Sequence, residues 1–275
     1  MTKNTHTKIA VRARMAVTGE NYLTAYRALF EQTLYTSPWP EMNRILGGGY
    51  RTGLHVIGAP KKTAKSLIIR ALAANSTKPV LVAGTEVSEK EFWDTTAIDL
   101  YRFGGEDLMK ASGGQYVDEL RKKISFRSGF VHHVTGKNIF GLLDEIENQY
   151  EVTPFGAVFF DSLQAVTGSR DELTQFTRAL KLFANKYDIP VFLTSETLTP
   201  QVNGMMKVSD LASSGSVEQE ADTITLLSRQ YTLKSEHTEP TFTQADMVEW
   251  LRMDVVKNRY GQTDSIQIKK TEIFS

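Results

Sequence analysis

The feature that most constrains this chain is a set of short, largely apolar runs separated by stretches with helical spacing. The runs fall at 54–58, 79–84, 156–161 (Gly-Ala-Val-Phe-Phe-Asp), 190–195 (Pro-Val-Phe-Leu-Thr-Ser) and 222–227 (Asp-Thr-Ile-Thr-Leu-Leu). Helical spacing occupies 88–102, 138–150 and 171–187. A strand with one face in water alternates apolar and polar residues, whereas one covered on both faces has no such need. The pattern therefore predicts an α/β fold: a mostly parallel sheet with helices on both faces. The end of the chain changes character. There 249–257 and 265–269 flank a polar turn at 258–262 and predict a C-terminal antiparallel hairpin.

Composition narrows the function classes. The 275 residues carry 32 Lys+Arg against 32 Asp+Glu, so no global field advertises nucleic acid or a membrane, and any nucleic-acid contact must come from local loops. The absence of cysteine excludes disulfides, thiolate zinc sites and thiol catalysis. The polar start, Met1-Thr2-Lys3-Asn4-Thr5-His6, has no secretory apolar core, and no apolar run approaches the ~20 residues of a membrane helix. A soluble, cytoplasmic protein with no membrane partner is expected.

Residues 54–72 read as an apolar strand, a small-residue loop and a helix. This is the layout of a phosphate-binding loop, in which backbone N–H groups and the positive end of the helix converge on one anion. Counting back from Lys65, the pattern G-x-x-x-x-G-K-[ST] wants glycine at 59 and 64, where this chain has Ala59 and Ala64. Alanine is tolerated there as long as the local φ is negative. The candidate nucleotide loop is thus Ala59, Pro60, Lys61, Lys62, Thr63, Ala64, Lys65 and Ser66. Lys65 would reach the β and γ phosphates, and Ser66 would place a hydroxyl on Mg²⁺. A lysine-bearing helix start without a ligand is the alternative.

Ligands of an open parallel sheet sit at the carboxyl ends of its strands. Thr85-Glu86, Asp161 and Ser195-Glu196 fall at such ends, as Lys65 and Ser66 do. Asp161 is placed to order Mg²⁺ and its water shell, or simply to start a turn. Glu86 is placed to activate the water attacking a γ phosphate, or to cap the next helix. Four such residues at the strand ends together favour a nucleoside triphosphatase over four separate coincidences.

Several stretches carry a family likeness. They are Glu86-Val87-Ser88, Phe160-Asp161-Ser162-Leu163-Gln164, the segment Ser209-Asp210-Leu211-Ala212-Ser213-Ser214-Gly215-Ser216-Val217-Glu218-Gln219-Glu220-Ala221-Asp222, and Lys257-Asn258-Arg259-Tyr260-Gly261. From about residue 36 to the C-terminus the chain resembles the RecA-like ATPase domain of DnaB-type replicative helicases and their plasmid and phage relatives. The resemblance implies an ATP- and Mg²⁺-dependent motor in a homo-oligomer, six-membered in the family, that acts on single-stranded DNA in replication. A replication initiator or loader is an implied partner. It further implies that Lys257 and Arg259 act in trans on a neighbour's nucleotide, whereas spacing alone reads them as solvated hairpin charge. Residues 210–215 would grip DNA phosphates, with Ser213, Ser214 and Gly215 as contacts. This chain departs from the family there, having Ala212 and Ser213 in place of a basic and an acidic residue. Arg170 and Lys207 are candidates for the missing positive charge. Glu196 replaces a glutamine that senses the nucleotide in the family.

The resulting division is an N-terminal arm at 1–35 and an ATPase domain at 36–275. Residues 1–18 are expected to be flexible or partly helical. Tyr22, Tyr26, Leu29 and Phe30 then predict a helix within 19–34, either part of the core or docked on an adjacent subunit. Alternatives to a motor are a RecA-fold module with weak or no hydrolysis that assembles or regulates, and a monomeric small-molecule kinase.

Overall fold

A computed structural model of the chain describes residues 3–19, 34–84, 87–103, 128–132, 139–163, 169–197, 206–211, 214–233 and 247–274. It divides into two compact units, Met1–Leu34 and Tyr35–Ser275. The first contains α1 (Lys3–Thr18), a continuous helix where a flexible or partly helical segment was expected. Nothing between 3 and 18 breaks a helix, since the first glycine is Gly19. Gly19 takes φ 73 and donates its N–H to the Met15 carbonyl at 2.9 Å, which ends α1. The helix expected within 19–34 lies, but for its end residues, outside the described residues.

In the second unit the elements run α2 (Pro40–Ile45), β1 (Gly53–Ala59), α3 (Lys65–Ala74), β2 (Val80–Gly84), α4 (Glu89–Phe103), β3 (Ser128–His132) and α5 (Ile139–Val152). They continue with β4 (Ala157–Asp161), α6 (Arg170–Tyr187), β5 (Pro190–Glu196), α7 (Ser214–Glu220), β6 (Thr223–Leu233), β7 (Met247–Asn258) and β8 (Asp264–Lys269). Among the described residues the strands form one sheet in the order β3-β2-β4-β5-β1-β6-β7-β8. It is parallel from β3 to β6 and antiparallel at β6–β7 and β7–β8. The α/β expectation and the terminal hairpin are both met.

The runs are largely apolar because the sheet is covered on both faces. Phe159 and Phe192 turn to one face, where they stack at 4.8 Å between ring centroids and meet Ile69 and Leu72 of α3. Val158, Phe160 and Leu193 turn to the other, against Phe176, Leu180 and Phe183 of α6. Each fully buried side chain of this size contributes roughly 1.5–3 kcal/mol. Helix α6 begins with a reciprocal cap: Ser169 Oγ accepts the Glu172 N–H at 3.3 Å, and the Glu172 carboxylate accepts the Ser169 N–H at 2.6 Å.

Helix α2 opens on Pro40, because proline fits the first helical position. Two differences from expectation have local causes. Strand β3 has only Phe130 and Val131 as large apolar residues, too weak a run to read as a strand. Strand β6 continues six residues past 227, since beyond that point it pairs only with β7 and is free to alternate.

His55 in β1 is buried, its Nδ1 beside Thr223 Oγ1 at 2.9 Å and its Nε2 beside the Arg51 carbonyl at 2.7 Å. Burial lowers its pKa to about 4. The folded imidazole therefore stays neutral while the unfolded one takes a proton near its ordinary 6.5, so acidification favours unfolding. Stability complete above the ordinary histidine pKa falls by about 2 kcal/mol by pH 5 and by about 3 near pH 4 through this group. Urea denaturation at pH 7 and pH 5 should show this slope in the wild type and lose it in His55→Asn.

Candidate nucleotide-binding site

The carboxyl end of β1 opens into a cleft of 460 Å³ whose walls include Lys61 to Leu67, Arg70, Asp161, Ser162 and Glu196. Its side chains arrive from the loop and helix that follow β1 and from the ends of β4 and β5. Ser66, in the first turn of α3, donates its hydroxyl to Asp161 Oδ2 at 2.6 Å. Asp161 closes β4, and its Oδ1 accepts the Thr194 hydroxyl at 2.6 Å. Lys65 Nζ donates to the Ala59 and Pro60 carbonyls, both at 3.2 Å, which holds the ammonium over the loop. Hydroxyl, carboxylate and ammonium thus stand together at the positive end of one helix, an arrangement suited to a phosphate chain with a hard cation.

The two missing glycines have different consequences. Ala59 is the last residue of β1, fully buried, at a φ that any residue adopts. Its methyl is harmless. Ala64 sits at φ 57, ψ 16, and Lys62 at φ 62, both left-handed. The expectation of negative φ therefore fails at 64, because the chain must turn sharply to aim α3 at the cleft. A methyl in this region costs roughly 1 kcal/mol. Ala64→Gly should accordingly raise unfolding free energy by about 1 kcal/mol, read as a higher urea midpoint at unchanged m.

Sequence reasoning missed Thr194 and Arg70. Period two supplied a signal for the first: if Glu196 faces the cleft, so does Thr194, while Ser195 between them is buried on the other face. Arg70 carried no signal. It lines the cleft while held to Asp99 of α4 at 2.7 Å. Glu196 also lines the cleft, with Lys61 Nζ at 3.8 Å. Glu86 lies outside the described residues.

Lys257 and Arg259 are not brought to this cleft. The Arg259 N–H donates to the Asp222 carbonyl at 2.9 Å, and the Asp222 N–H to the Leu54 carbonyl at 2.7 Å, which puts the hairpin turn at the amino end of β1. Seven residues of strand, about 20 Å, separate it from the loop after Ala59. Lys257 donates to the Glu218 carbonyl. Burial, and then Arg259 beside it, lowers the Lys257 pKa.

Of the candidate DNA contacts, Lys207 is exposed, and its N–H donates to Asp210 at 2.8 Å. Ser214 and Gly215 form the start of α7 rather than a loop, and α6 starts at Arg170. Ser213 lies outside the described residues. The 206–211 segment is tied to the cleft: Thr197 bridges to Leu211, and its N–H donates to the Ala59 carbonyl at 3.1 Å.

The chain is similar to several known proteins. A probable replicative DNA helicase of Trieres chinensis is 25% identical over 256 residues, which are 85% of this chain and 54% of the relative. The replicative DNA helicase DnaB of Leifsonia xyli subsp. xyli is 30% identical over 127 residues, 43% of this chain and 26% of the relative. The chain thus spans about half the length of the first of these relatives, and its match covers about a quarter of the second. Among solved structures, the ATPase domain of G40P superposes with a TM-score of 0.66 at 18% identity, covering 89% of this chain and 92% of that one. A DnaB-like replicative helicase studied with primase gives 0.65 at 17%, covering 97% and 65%. These two show a shared fold. The family model described as DnaB-like helicase C terminal domain matches residues 36–274, and the chain belongs to that family.

Proposed function

We propose that residues 36–275 are the ATP-hydrolysing motor of a ring-forming helicase that moves along single-stranded DNA during replication. The observation that carries this reading is the Lys65, Ser66, Asp161 and Thr194 cluster at the carboxyl end of β1. Ser66 Oγ and the Asp161 carboxylate are hard oxygen donors side by side, and they fit Mg²⁺ held through water and phosphate. Such an ion would draw charge from the transferring phosphoryl group. Lys65 binds the β and γ phosphates, and Glu86 orients the attacking water.

Lys257 and Arg259 complete the site in trans. From the amino end of β1 they cannot reach their own phosphates, and this favours delivery to a neighbour, in a homo-oligomer that we take to be a hexamer. Residues 1–35 serve as an arm on the adjacent subunit. Lys207, Arg170, Ser213, Ser214 and Gly215 are the contacts we assign to single-stranded DNA, onto which a replication initiator or loader would place the ring. Among the described residues no helix is long and apolar enough to cross a membrane, and a cytoplasmic site of action fits this.

Arg259→Ala should lower the DNA-stimulated ATPase rate by about 10³-fold or more while leaving nucleotide affinity near wild type. Phosphate release with and without single-stranded DNA measures the first, and a fluorescent nucleotide the second. A second reading, an assembly module with weak hydrolysis, is favoured by the left-handed Ala64 and by the acid Glu196 in the cleft. It would be adopted if DNA failed to stimulate turnover and Arg259→Ala changed nothing. A protein that stays monomeric by light scattering with and without ATP would remove the ring.

A further inference from the structure

The turn that carries Arg259 is built around one carboxylate. Asp222 is fully buried, yet it gathers partners from three parts of the chain. Its Oδ2 accepts the Leu54 N–H at 2.8 Å and the ammonium of Lys181 in α6. Its Oδ1 accepts Arg259 Nη1 at 3.2 Å and the Tyr260 hydroxyl at 3.1 Å. The Arg259 backbone N–H is fixed to the Asp222 carbonyl as well, so one residue holds the arginine at both its main chain and its guanidinium. The fit is close. Gly53 adopts φ +147, and a Cβ there would overlap the Asp222 carboxylate.

Charge counting distinguishes a holder from a neutraliser. Lys181 and Arg259 share a single carboxylate, so the cluster keeps about one positive charge, and the Arg259 side chain remains 48% exposed. A one-to-one buried ion pair would instead cancel the charge that a phosphoryl group needs. Tyr260 stiffens the turn from outside: the Arg51 guanidinium lies 5.5 Å from its ring centroid.

We propose that Asp222 is the positioning residue for Arg259, with Tyr260 as its second strut, fixing the guanidinium at the angle at which it is presented to the neighbouring subunit's nucleotide. This rests on the reading of Arg259 as a group acting in trans. Displacement of a catalytic group by about 1 Å costs around 10²-fold in rate. Loss of the carboxylate therefore affects the neighbour's turnover and leaves the subunit's own nucleotide binding intact.

The test uses mixed oligomers. Asp222→Asn combined with Lys181→Met removes both buried charges together and keeps an acceptor for Leu54, and a thermal melt verifies folding. Homo-oligomers of this variant should turn over ATP about 10²-fold more slowly at unchanged KM. Mixed one to one with Lys65→Ala subunits, which hydrolyse slowly themselves but present an intact Arg259, the variant should recover activity above either parent. An equal mixture of Arg259→Ala and Lys65→Ala is the reference. If the reference recovers and the Asp222 variant does not, the carboxylate serves only its own subunit and the proposal is overturned. If the reference also fails to recover, action in trans is refuted and the proposal falls with it. Tyr260→Phe, which leaves every charge in place, should show a smaller loss rescued by the same mixture. Should the double variant not fold, that result decides: rescue supports the proposal, and an unchanged rate or a loss without rescue overturns it.

Discussion

Lys65→Ala is expected to reduce ATP turnover by about 10²- to 10³-fold, the scale seen when one aimed donor is taken from a developing oxyanion. Nζ is held over the loop by the Ala59 and Pro60 carbonyls, beside the Ser66 and Asp161 pair. Two other cations that line the cleft are engaged elsewhere. Lys61 is drawn towards Glu196, and Arg70 is held to Asp99. The loss should appear in nucleotide affinity as well as in rate, since the ammonium contacts bound phosphate before the chemical step. Phosphate release and fluorescent-nucleotide titration separate the two. A variant with wild-type turnover would place the nucleotide elsewhere.

Asp222→Ala has the largest expected effect on stability, about 3–5 kcal/mol. The truncation leaves the Lys181 ammonium, only 12% exposed, without its buried counter-charge. It also strips the Leu54 N–H of its acceptor and releases Arg259 and Tyr260. A domain stable by ~5–15 kcal/mol would lose a large share of its margin. Urea unfolding followed by circular dichroism reads this directly. Asp222→Asn should cost less, because the amide oxygen still accepts from Leu54. The Lys181→Met change on that background should recover stability, since a buried ion pair is often no better than apolar atoms of the same volume. A loss below 1 kcal/mol for Asp222→Ala would mean that water solvates the site.

The sheet was legible in the sequence because burial on both faces forces largely apolar runs, as at Val158, Phe159 and Phe160. The candidate residues on strand ends were legible for the related reason that polar residues there interrupt such runs, as Asp161 does, and the fold sets Asp161 beside Ser66. Strand β3 was not, since two large apolar residues do not distinguish a strand from a loop. The backbone of Ala64 was not, because no side-chain pattern reports φ, and the missing glycine argued against what the chain does. The role of Asp222 was hidden most deeply. Its partners lie at 54, at 181 and in the turn at 259–260, all distant from it in sequence, and only the fold makes them neighbours.

Strand β1 carries the phosphate loop at one end and, through Asp222, the Arg259 turn at the other. A subunit that receives at one end and gives at the other gains nothing from a two-fold partner, because an isologous contact sets like surface against like. Copies that use both ends must join head to tail, each contact heterologous and oriented the same way round. Such a chain of copies has a polarity before any DNA is bound. Whether it closes into a ring or runs on as a filament is then fixed by the rotation between one β1 and the next.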